Sequence, residues 1–192
     1  SKLNIMDDMN FGVIVIGNPA KLRNAKILDE TSSYPVAFIN PVKGETVLGE
    51  FDWRSWFTNW LVFGRNLLHG EIGCAAAHRM ARLASNYEWT LILEDDCLIE
   101  SEDIVTAIRL IKQMKPEGPC VVTLYEREGY EVRNKKEPSI ERLHFMPEKT
   151  VAYFVSRGVA RFDRMPGYLV GTADWPMTFT PVKFFGLRGS RV

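Results

Sequence analysis

Apolar residues along this chain come in short runs of two kinds, some continuous and some spaced for a helix. Phe11 to Ile16 is a continuous β-rich run closed by the turn residues Gly17, Asn18 and Pro19. Residues 20–30 place Leu22, Ala25, Ile27 and Leu28 at helical spacing. Pro35 to Asn40 is a second run, followed by a turn around Pro41 and Gly44. This β-α-β opening predicts a right-handed crossover and a parallel strand pair. Phe51 to Phe63 is crowded with aromatics, and Trp53, Trp56 and Trp60 are spaced by three and four residues. That spacing predicts a helical stripe facing the core. Glu71 to Asn86 reads as an alanine-rich helix, and Trp89 to Leu93 as a buried strand. Ile104 to Met114 is an amphipathic helix stopped by Pro116 and Gly118, with Cys120 to Tyr125 as the next strand. Gly129 to Glu141 is polar without a period and reads as a surface loop or hairpin. Val151 to Val155 is a further strand, and Ser156 is placed to cap a short helix running to Arg164. Pro166 to Val192 shows little periodicity. The alternation predicts one α/β domain over residues 1–192, with residues 1–10 as a ragged lead-in.

The apolar run at Leu91-Ile92-Leu93 ends abruptly in Glu94-Asp95-Asp96. Three adjacent carboxylates repel one another, and no fold needs them for stability. Open α/β sheets bind ligands at the carboxyl ends of their strands. Hard divalent ions prefer oxygen ligands and bridge to phosphates. The triplet is therefore the first candidate site. Ser101, Glu102 and Asp103 are acidic too, but read as an ordinary helix start.

Composition narrows the function classes. The 192 residues are 46% hydrophobic, enough for one sizeable core. The 24 basic and 24 acidic side chains cancel, which argues against a nucleic-acid binder living on bulk charge. No apolar run is long enough to span a bilayer. Cys74, Cys97 and Cys120 are odd in number, which suits a reducing, cytoplasmic compartment. Neither a CxxC nor a close His pair occurs, which argues against a zinc site.

A second polar cluster lies in His69-Gly70-Glu71-Ile72-Gly73-Cys74-Ala75-Ala76-Ala77-His78. On a helix, Glu71, Cys74 and His78 share one face, with Arg82 a turn further on. Ile72, Ala76, Met80 and Leu83 share another face, expected against the sheet. The polar face is expected either to point toward the carboxylates or to be a solvated stripe.

These segments resemble glycosyltransferase family 25, which includes lipooligosaccharide and procollagen galactosyltransferase domains. His69 to His78 is similar to its "GEIGCxxSH" signature, and Tyr87 to Asp96 to the strand ending in "LEDD". Val151 to Ser156 with Ala160 resembles "xAYxxSxxxA", Ala173-Asp174 stands at "VD", and Val36 to Gly44 resembles an early "fxxidAvxG" strand and turn. Ala77 replaces the usual Ser, and Gly17 to Arg23 departs from the opening "NLxRxxxR", with Arg23 at its last basic position. No His follows His144, so the late His ligand of many metal-dependent glycosyltransferases has no counterpart.

The resemblance implies a Rossmann-like GT-A fold with a mostly parallel sheet. It also implies transfer of a sugar, expected to be galactose, from a UDP-sugar to a lipooligosaccharide or other surface glycan, with inversion. A manganese-like divalent ion is implied on the diphosphate, held by Asp96 with Glu94. Asp95, Glu94, His78 and Arg23 are expected at the donor. Asp174 is the expected general base and Glu71 the second candidate. A tryptophan or phenylalanine of the 51–63 cluster, if exposed, is suited to stack on an acceptor sugar. Lys183, Arg188 and Arg191 suit donor phosphates, an anionic inner-membrane surface, or a solvated tail. A nucleotidyltransferase is a poorer match, because Gly17-Asn18-Pro19 is too short for a phosphate loop. A non-catalytic sugar-binding relative is the other rival, favoured by Ala77 and the altered opening motif.

Overall fold

The computed structural model describes residues 10–18, 34–97, 101–124, 138–143, 151–163 and 181–188. Among the described residues, seven strands form one sheet: β1 (Phe11–Ile16), β2 (Val36–Ile39), β3 (Trp89–Glu94), β4 (Cys120–Thr123), β5 (Ser139–Leu143), β6 (Ala152–Ser156) and β7 (Lys183–Arg188). Their order across the sheet is β2-β1-β3-β6-β4-β7-β5. β1 pairs in parallel with both β2 and β3, as the β-α-β opening predicts. β6 runs antiparallel to β3 and β4, and β5 antiparallel to β7, which itself runs parallel to β4. Five strands therefore point one way, and only β5 and β6 oppose them.

The described helices are α1 (Gly44–Val47), α2 (Trp53–Phe63), α3 (His69–Ala84) and α4 (Ser101–Met114), with 3-10 turns at Leu48–Glu50 and Arg157–Asp163. One sheet face packs Phe11, Val13, Leu91 and Leu93 against Ile104, Ala107, Ile108 and Ile111 of α4. Those four α4 positions are spaced i, i+3, i+4, i+7, the apolar stripe of an amphipathic helix. Burying each isoleucine contributes roughly 1.5–3 kcal/mol. The opposite face packs Ile14, Ile16, Ile92, Tyr153 and Val155 against Ala77 and Ala81 of α3. Cover on both faces explains why β1 and β3 read as continuous apolar runs rather than alternating ones.

The small residues of α3 set how close it lies. Ala75, Ala77 and Ala81 are buried. A side chain at Gly73 would collide with the carbonyl of Val42, so α3 approaches the 42–44 segment backbone to backbone. Ile72 and Ala76 pack inward as expected and Cys74 is exposed, but further along the helix the two expected faces are exchanged. His78 and Arg82 point inward and are fully buried, while Met80 and Leu83 are exposed. Short alanines leave room beneath the helix, and the longer polar chains fill it.

Other expectations are corrected too. Trp53 is 72% exposed and Trp60 57%. α2 buries Ser55 and Asn59 instead, with the Asn59 side-chain amide donating to the Ser55 carbonyl. Only Trp56 packs inward, against the Leu67, Ile72 and Ala75 cluster. The helix turns the short Ser55 and Asn59 side chains inward and leaves Trp53, Phe57 and Trp60 to solvent. Ser156 accepts the Cys120 N–H of β4 rather than capping the turn that follows it. The end of the polar 129–141 stretch and part of the aperiodic tail form β5 and β7, which pair with each other. The helix expected at residues 20–30 lies outside the described residues. Among the described residues, no helix is long and apolar enough to cross a membrane.

Candidate active site

The acid triplet stands where the sequence suggests, at the carboxyl end of the central strand β3. Asp95 and Asp96 form the turn that leaves the strand. Ile16 is in register with both Ile39 and Glu94, so the ends of β2, β1 and β3 lie on one sheet edge. A groove of about 570 Å³ opens at the β2 end of this edge, lined by Phe38, Asn40, Val42, Lys43 and Met80. Its size is in the range of small-molecule sites.

The three acids divide their work. Asp95 accepts the Asn18 N–H at 3.0 Å, while its own N–H donates to the Ile16 carbonyl. Gly17 has φ 142° there, and a side chain at that position would collide with Asp95. Asp95 thus ties the β3 turn to the β1 turn. Asp96 is exposed at the tip. Glu94 is half-buried and lies 2.8 Å from Nε2 of His78.

Beneath Glu94 runs a chain of polar groups. Tyr153 stands opposite Ile92 in the β3–β6 register, and Glu94 is two residues beyond Ile92. Strand side chains alternate, so all three project toward α3. His78 Nδ1 lies 2.8 Å from the Tyr153 hydroxyl, and the two rings stack at 5.6 Å between centroids. Arg82, one turn past His78, reaches the Tyr153 hydroxyl at 3.5 Å. Its Nε and Nη2 donate to the two Asp163 oxygens at 2.7 and 2.9 Å. One proton arrangement satisfies the chain. Nε2–H donates to Glu94, the Tyr153 hydroxyl donates to Nδ1, and the tyrosine oxygen accepts from Arg82.

The charges agree with this arrangement. Burial pushes the Tyr153 hydroxyl well above its usual range, against the opposing pull of Arg82, so it stays neutral. Burial pulls Arg82 downward, but Tyr153 and Asp163 outweigh it, so the guanidinium stays charged. A buried charge survives only when paired and hydrogen-bonded, and the two-pronged Asp163 contact meets that need.

The expected residues separate as follows. The structure brings His78 to Glu94 and, with them, Cys74. One sulfur, one ring nitrogen and one carboxylate oxygen of these residues lie within 4.8 Å of one another. Glu94, Asp95 and Asp96 form no such joint group among the described residues. Glu71 is not available as a base. Its carboxylate takes two bonds from Arg65, at 2.8 and 2.7 Å, and the Leu68 N–H at 2.8 Å. Arg65 chiefly, and then the Leu68 N–H, hold it below the usual carboxylate range despite some burial. It caps the start of α3. Lys183 and Arg188 belong to β7, while Arg23, Asp174 and Arg191 lie outside the described residues. Tyr153, Arg82 and Asp163 were not among the expected site residues. The visible signal was Arg82 one turn past His78 and a tyrosine in a matching motif; nothing marked Asp163.

A seven-stranded α/β sheet with acids at its central carboxyl edge defines a Rossmann-like, GT-A type fold. The structure of residues 1–349 of S. aureus TarS shares it with a TM-score of 0.50 at 13% identity, over 93% of this chain. The chain spans 60% of that structure's length. Among curated proteins, none matches in sequence. The profile of glycosyltransferase family 25 (LPS biosynthesis protein) matches residues 20–185, most of the chain. The chain therefore belongs to glycosyltransferase family 25.

Proposed function

We propose that this chain transfers galactose from UDP-galactose to a lipooligosaccharide or similar surface glycan, inverting the anomeric centre. The observation that carries the reading is the placement of Asp96, exposed at the carboxyl end of β3 on the sheet edge whose β2 end, one strand further across β1, carries the groove. The residues fit a hard divalent ion of the manganese kind. Such ions take one or two carboxylates and complete their shell with water and substrate phosphates. Asp96 supplies the carboxylate. When bound, the ion neutralises the leaving diphosphate.

The chain's own residues do the rest. Asp95 fixes the turn and offers its remaining acceptor capacity to ribose or donor-sugar hydroxyls. Glu94, steadied by His78, stands on the same rim as a further hydroxyl acceptor. Arg23 is assigned to the donor by its place in the opening motif. Asp174 takes the proton of the acceptor hydroxyl. Exposed Trp53, Phe57 and Trp60 offer flat faces suited to the C–H faces of an acceptor sugar. The proposed place of action is the cytoplasm, with Lys183, Arg188 and Arg191 as the residues suited to a peripheral contact with the inner membrane.

A turnover assay across a panel of UDP-sugars, with and without manganese, tests the reading. Transfer from UDP-galactose to a lipooligosaccharide acceptor supports it. Tight UDP-sugar binding without transfer or hydrolysis replaces it with a sugar-binding role.

A further inference from the structure

We propose that Cys74, His78 and Glu94 form a site for a thiophilic divalent ion of the zinc class, separate from the oxygen position at Asp96. Cys74 and His78 are four residues apart on α3, so their side chains rise from one face, and Glu94 meets them from the end of β3. Candidate ligand atoms on the three already lie within 4.8 Å of one another. Sulfur, imidazole nitrogen and one carboxylate oxygen form a donor set that suits zinc and disfavours magnesium or manganese. A thiolate and a carboxylate also cancel the charge of a divalent ion.

The surroundings meet the second requirement of such a site. A metal-binding imidazole is normally oriented by a partner on its other nitrogen. The Tyr153 hydroxyl lies 2.8 Å from Nδ1, and Arg82 with Asp163 holds Tyr153 in turn. On binding, the ring proton moves from Nε2 to Nδ1, so the imidazole stays neutral and the Tyr153 oxygen turns to accept from Nδ1–H. The Cys74 thiol loses its proton, so uptake of each ion releases one proton to solvent.

The His78–Glu94 pair needs only a small adjustment. His78 Nε2 and Glu94 Oε1 are 2.8 Å apart. Ligands on a tetrahedral zinc ion sit about 3.3 Å apart, given bonds of about 2.0–2.2 Å. Glu94 is 29% exposed and can swing outward by that amount, and exposed Cys74 gives the ion its way in. Three protein ligands leave a fourth position open for water or a ligand.

The sequence argues against a zinc site because it offers no paired spacing. The ligands come instead from a helix and from a strand end sixteen residues beyond His78.

Cobalt(II) is the probe, because thiolate coordination gives it an intense near-ultraviolet charge-transfer absorption. Cys97 and Cys120 are buried, so the signal reports Cys74. We expect one cobalt per chain with this absorption in the unaltered protein and in Asp96→Asn. Cys74→Ser should abolish the absorption. Tyr153→Phe should weaken cobalt binding by about 10- to 100-fold. Zinc should raise the melting temperature of the unaltered protein and not that of Cys74→Ser. An unaltered protein with no charge-transfer absorption at saturating cobalt overturns the proposal, as does absorption that survives Cys74→Ser. The measurement needs no transfer activity, so it succeeds or fails independently of the proposed galactosyl transfer.

Discussion

The Tyr153 hydroxyl lies 2.8 Å from Nδ1 of His78, joining strand β6 to helix α3 inside the core. Neither group reaches solvent. Tyr153→Phe keeps the ring and removes the hydroxyl, leaving the His78 nitrogen without that partner. A cost of about 1–3 kcal/mol is expected for such an orphaned buried group. Urea unfolding of Tyr153→Phe, His78→Ala and the double variant gives the coupling between them. A coupling above about 0.5 kcal/mol marks a direct interaction; strict additivity would show that the two rings act independently.

Asp163 faces Arg82 with both oxygens, and both side chains are almost fully buried. Removing one partner strands the other as a bare charge. Asp163→Ala should therefore destabilise the protein by about 3–5 kcal/mol. An apolar replacement of both, Arg82→Met with Asp163→Leu, should recover much of that loss. Denaturation midpoints of the single and double variants decide the matter. A mild effect in Asp163→Ala would mean that water enters to solvate the arginine.

Asp96→Asn should lower transfer at least ten-fold, which is about 1.4 kcal/mol of transition-state stabilisation. Its exposed position predicts an unchanged melting temperature. Donor affinity measured with manganese should fall alongside turnover. A folded variant with full activity removes Asp96 from the site.

Asp174→Asn should behave differently. A base acts on the acceptor hydroxyl, so turnover should drop while UDP-sugar affinity stays nearly intact. Isothermal titration beside the rate assay separates the two effects. Equal losses of affinity and turnover would move Asp174 into the donor or metal shell.

Glu71 gives a pH-dependent prediction. Its carboxyl is held below the ordinary value of 4.5, so its contribution to stability is fully present above that pH. The contribution is lost as pH falls through the lowered folded value. Arg65 is half exposed, so solvent screens the pair and keeps the effect small. Glu71→Gln should make stability flatter between pH 5 and pH 3, as read by thermal melts across about that range. An unchanged acid limb would place the pair outside the folding unit.

Strands covered on both faces were the most legible part of the fold. Phe11 to Ile16 and Trp89 to Leu93 are continuous apolar runs, and both are strands. The period of α4 was equally plain, because its stripe faces a flat sheet. β5 and β7 were hidden because they lie toward the sheet edge, where polar residues such as Glu141, Arg142 and Lys183 are tolerated. The tryptophan spacing misled, since helical period reports which residues share a face and not whether that face is covered. At the site, Glu94, Asp95, Asp96 and His78 were legible from type and position. Their division of labour was not, because it depends on partners far along the chain: Asn18, Tyr153 and Asp163.

β7 is the last described strand in sequence, yet it sits inside the sheet, hydrogen-bonded to β4 on one side and β5 on the other. During synthesis, β4 therefore emerges long before its neighbour on that side. Until residues 183–188 arrive, Cys120–Thr123 presents an open row of backbone groups, and β5 has no strand to pair with. An exposed strand edge invites other chains to add to it. A ribosome that stalls before Lys183 would thus release a chain primed for self-association, although its acid triplet and buried histidine are already made.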